Sequence, residues 1–368
     1  MTSQPDSVAS GLPARISAAI AEAGGWLPFD RFMALALYEP DLGYYSSARR
    51  KFGLMPASGS DFVTAPELSP LFGRALAVQV ADALAASGTR QVYEFGAGSG
   101  ALAEQLLQAL DERGLAVAYA IIDLSGTLQA RQAERLARFN DRVQWLARWP
   151  DKMHGVVVAN ELLDAIPVQL LHFDGHDWFE RGVVTQGDTL AFADRPTDLR
   201  PPLDAPFVPG TVTEIHPQAE AFVRTLAQHL QRGAAFFIDY GFPEAEYYLP
   251  QRVGGTLMCH HLHQADGDPL QRVGEKDITA HVNFTGIALA AQDAGLAVVG
   301  YTSQARFLLN CGLAPMIEGA DLRERAMAQK LITEHEMGEL FKVLALASAD
   351  LAHWVPCGCA EGDRMHRL

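Results

Sequence analysis

Tyr93-Glu-Phe-Gly-Ala-Gly-Ser-Gly-Ala101 is where two periodicities of the chain meet. Gln91, Val92, Tyr93 and Phe95 read as a short buried strand, Gly96, Gly98 and Gly100 follow at alternate positions, and apolar residues recur at helical spacing over 101–110. Strand, glycine turn and helix let a backbone approach a nucleotide-like ligand closely, because glycine takes left-handed φ at little steric cost. Residues 96–101 also satisfy the degenerate dinucleotide pattern, with alanine in the third place. Glu94 shifts the reading toward S-adenosylmethionine (SAM): a carboxylate beside the turn repels a pyrophosphate and attracts an ammonium. A turn that serves only tight strand–helix packing is the competing reading, and three glycines weaken such a turn unless something must come close.

The 368 residues are 49% hydrophobic and 20% charged, which describes a globular protein with a large core. No apolar run is long enough to span a bilayer. Residues 1–12 lack the basic-then-apolar layout of a secretory signal, and the four cysteines are too scattered for a disulfide framework, so a cytoplasmic location is expected. A net charge of −15 makes nucleic acid a poor partner. A basic protein substrate suits that balance.

From residue 90 the pattern alternates. Strands are expected at 91–95, 116–124, 142–146 and 155–159, separated by helices at 101–113 and 128–137, and the rhythm resumes with a helix at 218–231 and a strand at 234–240. A helix at 285–294 and strands at 297–301 and 341–347 close the series. Such alternation predicts an α/β fold with a mostly parallel sheet and helices on both faces. A helix followed by two closing strands resembles the way Rossmann-like class I SAM-dependent methyltransferases end, which implies a seven-stranded, mostly parallel sheet. The expected organisation is an N-terminal helical and lid segment over 1–89, a core over 90–350 with β-rich insertions at about 167–210 and 242–284, and a C-terminal tail over 351–368. Thr333-Glu-His-Glu336 reads as a capping box opening a short helix.

A series of motifs resembles the MidA-like methyltransferase family. They run in order through 37–45 (LYEPDLGYY), 61–73 (DFVTAPELSPLFG), 94–100 (EFGAGSG), 159–167 (ANELLDAIP), 238–241 (IDYG), 255–257 (GTL), 277–282 (DITAHV), 307–309 (FLL) and 337–342 (MGELFK), so the resemblance covers about 28–347. It implies a SAM-dependent enzyme that releases S-adenosyl-homocysteine. The family's mitochondrial members are complex I assembly factors that methylate an arginine of a complex I subunit, so a protein substrate, and a respiratory complex I subunit in particular, is implied. The chain departs from the family at Asn283, where an aspartate is usual, and at 258–263, where Met-Cys-His-His-Leu-His replaces aromatic and basic residues.

Candidate residues follow. Glu94, Gly96, Ala97, Gly98 and Gly100 form the expected seat of the cofactor's amino-acid end. Asp123, with Leu124 beside it, ends the second strand, where a carboxylate accepts hydrogen bonds from ribose hydroxyls. Asp61, Thr64 and Glu67 lie in a segment that covers the cofactor in the resembled family, with Thr64 and Glu67 as polar contacts. Asn160, Glu161 and Asp164 follow the strand at 155–159, and Asp239 ends the strand at 234–240. Ligands of open α/β sheets bind outside the carboxyl ends of strands, so these four form the expected catalytic group. Paired carboxylates hold a guanidinium so that one nitrogen faces the methyl carbon. No metal is expected: His260, His261 and His263 have no distant partner cluster, and Cys357 with Cys359 is too small a set. A catalytically idle assembly factor, a small-molecule methyltransferase and an NAD-dependent oxidoreductase are the alternative functions.

Overall fold

The computed structural model describes residues 11–47, 64–123, 126–139 and 141–368. Asp61 and Leu124 lie outside the described residues. The chain divides into two compact units, one of Met1–Phe62, Asp164–Ala219 and Glu244–His281, the other of Val63–Leu163, Glu220–Pro243 and Val282–Leu368. Of the N-terminal segment, residues up to Phe62 thus belong to the first unit and those from Val63 to the second.

The second unit carries the central sheet. Its strands are β1 (Gln91–Phe95), β2 (Ala118–Ile122), β3 (Val143–Trp145), β4 (Met153–Asn160), β5 (Leu230–Phe242), β6 (Ala297–Ser303) and β7 (Phe341–Ala347), ordered β6-β7-β5-β4-β1-β2-β3. Neighbours from β3 through to β5 are parallel, and β7 runs antiparallel to both β5 and β6. A short strand, Val282–Asn283, adds an eighth member beside the end of β5. This is the mostly parallel sheet expected from the alternation. Val156, Val157, Val158 and Ala159 are all buried, as a strand covered on both faces requires. Strand order reverses at β1, which sits between β2 and β4, and chain direction brings the carboxyl ends of β1, β2, β4 and β5 to one edge.

Helix α1 (Pro70–Ser87) starts with proline in its first turn and Ser69 Oγ accepting from Leu71 N at 3.2 Å, and stops at Gly88, which is left-handed at φ +65°. Helix α2 (Ala101–Glu112) follows the glycine turn, and α3 (Gly126–Arg135) follows β2. Three further helices, Gln304–Asn310, Leu313–Gly319 and Leu322–Lys330, fill a stretch to which the sequence pattern assigns nothing. The expected capping box at 333–336 is not formed. Thr333 makes no cap bond to the following turn, and its hydroxyl donates instead to Gln329 O at 2.8 Å. The C-terminal residues are tied down, with Cys357 N donating to Asp82 Oδ2 at 3.0 Å and Gly358 N to Gln79 Oε1 at 2.7 Å.

The first unit is an antiparallel sheet with helices. Leu27–Pro28, Trp178–Gln186, Gln169–Phe173 and Val212–Ile215 pair in that order, and Thr189–Pro196 joins Trp178–Gln186 through a two-residue turn at Gly187-Asp188. A small three-stranded sheet, Gln264–Asp266, Met258–His261 and Asp277–Thr279, accounts for most of the second insertion's regular structure. Helices Gly11–Glu22 and Phe29–Tyr38 bury Ile16, Phe29, Phe32 and Met33 in a core shared with Leu170 and Val183.

One close approach fixes the register of the central strands. A Cβ on Gly155 would lie 2.3 Å from Gln91 O, so only glycine fits there. Gly155→Ala is expected to lower stability by ~1–3 kcal/mol. A urea midpoint equal to that of the parent protein would contradict the packing described.

Candidate functional site

The turn after β1 is built from backbone geometry. Gly96, Gly98 and Gly100 have φ of +67°, +53° and +79°. Gly96 N donates to Ile122 O at 3.2 Å, Gly100 N to Ala97 O at 2.8 Å, and Gly100 is the N-cap of α2. A Cβ on Gly96 would stand 3.0 Å from Leu162 Cδ1, so the glycine leaves room for the turn that follows β4. Ala97 is buried beneath the turn.

Glu94 is 3% exposed and accepts from Tyr119 Oη at 2.7 Å. Burial raises its carboxyl from 4.5 to about 8, the Tyr119 hydrogen bond partly opposes this, and the Asp123 charge adds to it. Asp123 follows β2 and accepts from Gln132 Nε2 at 3.0 Å. Gln132 is a residue the sequence pattern does not single out; its signal is a glutamine at an apolar position of a helix face, four residues from buried Leu128 and four from buried Leu136.

Glu67 is joined to the turn itself. Its Oε1 accepts from Ser99 Oγ and, at 3.0 Å, from Arg135 Nη1, which also reaches Ser99 Oγ at 2.7 Å. Ser99 and Arg135 are further residues that the motif reading passes over. Thr64 precedes the short helix Ala65–Leu68, makes no side-chain cap bond and is half-buried.

The ends of β4 and β5 form a second cluster. Asn160 Nδ2 donates to Glu161 Oε1 at 3.1 Å, and Glu161 N donates to Ile238 O at 2.9 Å. Glu161 has φ +51°, a conformation that non-glycine residues adopt rarely and at an energetic cost. Asp239, buried at 1% exposure, accepts from Leu162 N at 3.1 Å and Leu163 N at 2.9 Å through Oδ2, and from Tyr240 N at 2.9 Å through Oδ1. Its carboxylate therefore anchors the backbone after Glu161, where the sequence pattern expects it among the catalytic residues. Asp164 falls in the other unit, since the division runs between Leu163 and Asp164. There it is buried, and its charge acts on Tyr45, whose hydroxyl donates to Asp277 Oδ2 at 2.9 Å.

One motif of the first unit also acquires a physical cause. Buried Glu214 accepts from Thr256 N at 2.9 Å, Leu257 N at 2.9 Å and Tyr247 Oη at 2.8 Å, and a Cβ on Gly255 would stand 2.4 Å from its Oε1. Gly-Thr-Leu at 255–257 is thus a backbone seat for a buried carboxylate. His216 Nε2 lies 3.0 Å from Tyr247 Oη, and burial, with the charge of His281, lowers its pKa to about 4. Among the described residues no group of three or more His, Cys, Asp or Glu is placed to hold a metal ion.

A mostly parallel sheet ordered about β1, with a glycine turn and acidic side chains at the carboxyl ends of its strands, is the framework of a nucleotide-type cofactor site. Residues 75–302 match the profile of the Methyltransf_28 family of S-adenosyl-L-methionine-dependent methyltransferases, and the chain belongs to that family. The chain is similar over its whole length to a COG1565 superfamily protein of Burkholderia thailandensis bound to S-adenosyl-homocysteine, with 49% identity, a TM-score of 0.95 and 100% of each chain covered. A second crystal structure from that organism, of a COG1565 superfamily protein in native form, gives 48% identity and a TM-score of 0.90, again with 100% of each chain covered. Among curated relatives, protein arginine methyltransferase NDUFAF7, mitochondrial, of Danio rerio is 26% identical over 88% of this chain and 84% of its own length. The Caenorhabditis elegans homolog of the same name is 24% identical over 86% and 81%. The chain is a SAM-dependent methyltransferase, and SAM is its cofactor. The cytoplasmic location expected from the sequence is withdrawn, because these relatives are named as mitochondrial proteins.

Glu94 makes the stability of the fold sensitive to pH. With a carboxyl raised to about 8, the folded protein holds a proton that the unfolded chain has lost between 4.5 and 8. Its contribution to stability is full below 4.5, falls as pH rises through that window and is lost above it. The sequence expectation that Glu94 meets the cofactor's ammonium requires the carboxylate form, so on that expectation binding of S-adenosyl-homocysteine at pH 7 releases up to about one proton. Calorimetry in buffers of different ionisation enthalpy reads this directly. Equal proton release by the parent protein and Glu94→Gln would remove Glu94 from the amine site.

Proposed function

We propose that this enzyme methylates an arginine side chain of a protein substrate, with Glu161 holding the guanidinium. The observation that carries the proposal is the strained, clamped conformation of Glu161. It sits at the carboxyl end of β4 at φ +51°, bonded to Asn160 and anchored on both sides by Ile238 O and the Asp239 carboxylate. Backbone strain of this kind persists where the surroundings over-determine it, and it concentrates at functional sites. The relatives named protein arginine methyltransferases support the acceptor class.

The residues of the second unit fit the cofactor. Positive φ at Gly96 and Gly98 puts backbone rather than side chain on the surface of the turn. Asp123 and Glu94 are carboxyl groups for the ribose hydroxyls and the ammonium, with Ala97 forming the floor. Thr64 and Glu67 belong to the segment that closes over this seat, and Glu67 is already fastened to Ser99. When bound, the cofactor supplies a methyl group on a sulfonium.

The side chains then have separate tasks. Glu161 pairs with the guanidinium and fixes its orientation, which is the main requirement of an in-line displacement. Asn160 Oδ1 is a buried acceptor with no hydrogen-bond partner among the described residues, suited to an N–H of the same group. Asp239 positions the loop through backbone N–H groups. Asp164, which lies in the other unit, is left out of this assignment. A respiratory complex I subunit is the substrate that the family resemblance implies.

The test is incubation with isotopically labelled SAM and a cell lysate, followed by mapping of the labelled residue. Label on an arginine is expected, and Glu161→Gln is expected to lower its incorporation by on the order of 10²-fold while S-adenosyl-homocysteine affinity stays unchanged. Label confined to small molecules, or full activity of Glu161→Gln, would refute the proposal. Cofactor binding with no transfer to any acceptor would favour an idle assembly factor.

A further inference from the structure

Leu128, Gln132 and Leu136 stand at intervals of four, and all three are buried; Gln132 is the polar member, with 0% exposure. A buried amide is costly unless each polar atom finds a partner. Gln132 meets that demand completely. Its Nε2 donates to Gly98 O at 2.9 Å and to Asp123 Oδ2 at 3.0 Å, and its Oε1 accepts from Trp145 Nε1 at 2.9 Å. The opposite amide orientation would set an oxygen against two acceptors and an NH₂ against an indole donor, so the three partners fix it. The stem is in place as well, since a Cβ on Gly100 would lie 3.4 Å from Gln132 Cγ. One side chain on α3 therefore ties the middle glycine of the turn to the carboxylate after β2, with Trp145 at the end of β3 as the brace.

We infer that Gln132 is a positioning residue for recognition of the cofactor's vicinal ribose hydroxyls. By holding one oxygen of Asp123 and the carbonyl of Gly98 at once, it sets the rotation of the carboxylate in register with the glycine turn. The inference rests on the reading of Asp123 as the ribose acceptor. It goes further by making the ribose contribution to affinity depend on a side chain that need not touch the ligand. Trp145 acts one step further out, through the Gln132 amide.

The experiment measures dissociation constants of S-adenosyl-homocysteine and of its 2′,3′-dideoxyribose analogue by calorimetry, for the parent protein, Gln132→Met and Trp145→Phe. Methionine keeps the length and shape of the side chain and removes both donors and the acceptor. Phenylalanine leaves Gln132 in place and removes one of the three groups that fix its amide, together with part of the ring system. The parent protein is expected to prefer the natural ribose by about tenfold or more, the range of hydrogen bonds to a charged group. Gln132→Met is expected to bring that ratio close to unity, and Trp145→Phe to reduce the ratio part of the way. An undiminished ratio in both variants overturns the role of Gln132 and leaves Asp123 as the ribose acceptor. A parent protein that binds both ligands equally overturns the reading of Asp123 and the inference with it. Where Gln132→Met fails to fold, the ratio in Trp145→Phe decides.

Discussion

Positive φ at Gly96, Gly98 and Gly100 is the constraint on which the rest of the catalytic unit depends. Such a turn is entropically expensive for the chain, and its three glycines have no side chains to stabilise it. What it gains is a surface of backbone atoms that a ligand can approach. Neighbouring elements must then hold the turn from outside. Ala97 is buried below it, Ser99 is gripped by Glu67 and Arg135, and Gly98 O is held by Gln132.

Much of the polar chemistry near this edge goes into fastening backbone. Asp239 and Gln132 are both buried, both accept or donate at main-chain atoms, and both stand next to residues assigned to the acceptor or the cofactor. A charge-assisted bond from a carboxylate to backbone N–H groups is among the stronger neutral-pH fastenings a protein has. It suits the turn after β4, where Glu161 adopts a conformation that a free peptide would leave. Preorganisation matters more than acid–base strength in methyl transfer, because the step demands alignment of the attacking atom.

The sheet was legible because most of its strands are compact apolar runs set between amphipathic helices or turn signals. Val156-Val-Val-Ala and Val92-Tyr-Glu-Phe carry that information locally, and the glycines mark the reversal. Other features were not local. Gln132 becomes meaningful only when α3 packs beside the turn, and Arg135 only when Glu67, 68 residues away, arrives at Ser99. Asp239 has the position of a substrate-facing carboxylate, but its hydrogen bonds go to main-chain N–H groups that the primary sequence does not bring near. Asp164, three residues after Glu161, resembles its partner in sequence and yet falls beyond the division between the two units. Gly255-Thr-Leu looked like a family motif without a cause until Glu214 supplied one.

A crystal structure of this protein soaked with S-adenosyl-homocysteine tests the central claim most directly. The account predicts ribose hydroxyls within hydrogen-bond distance of the Asp123 carboxylate and the amino-acid end lying along the backbone from Gly96 to Gly98. A ligand bound elsewhere, with the glycine turn filled by the protein's own side chains, would contradict it.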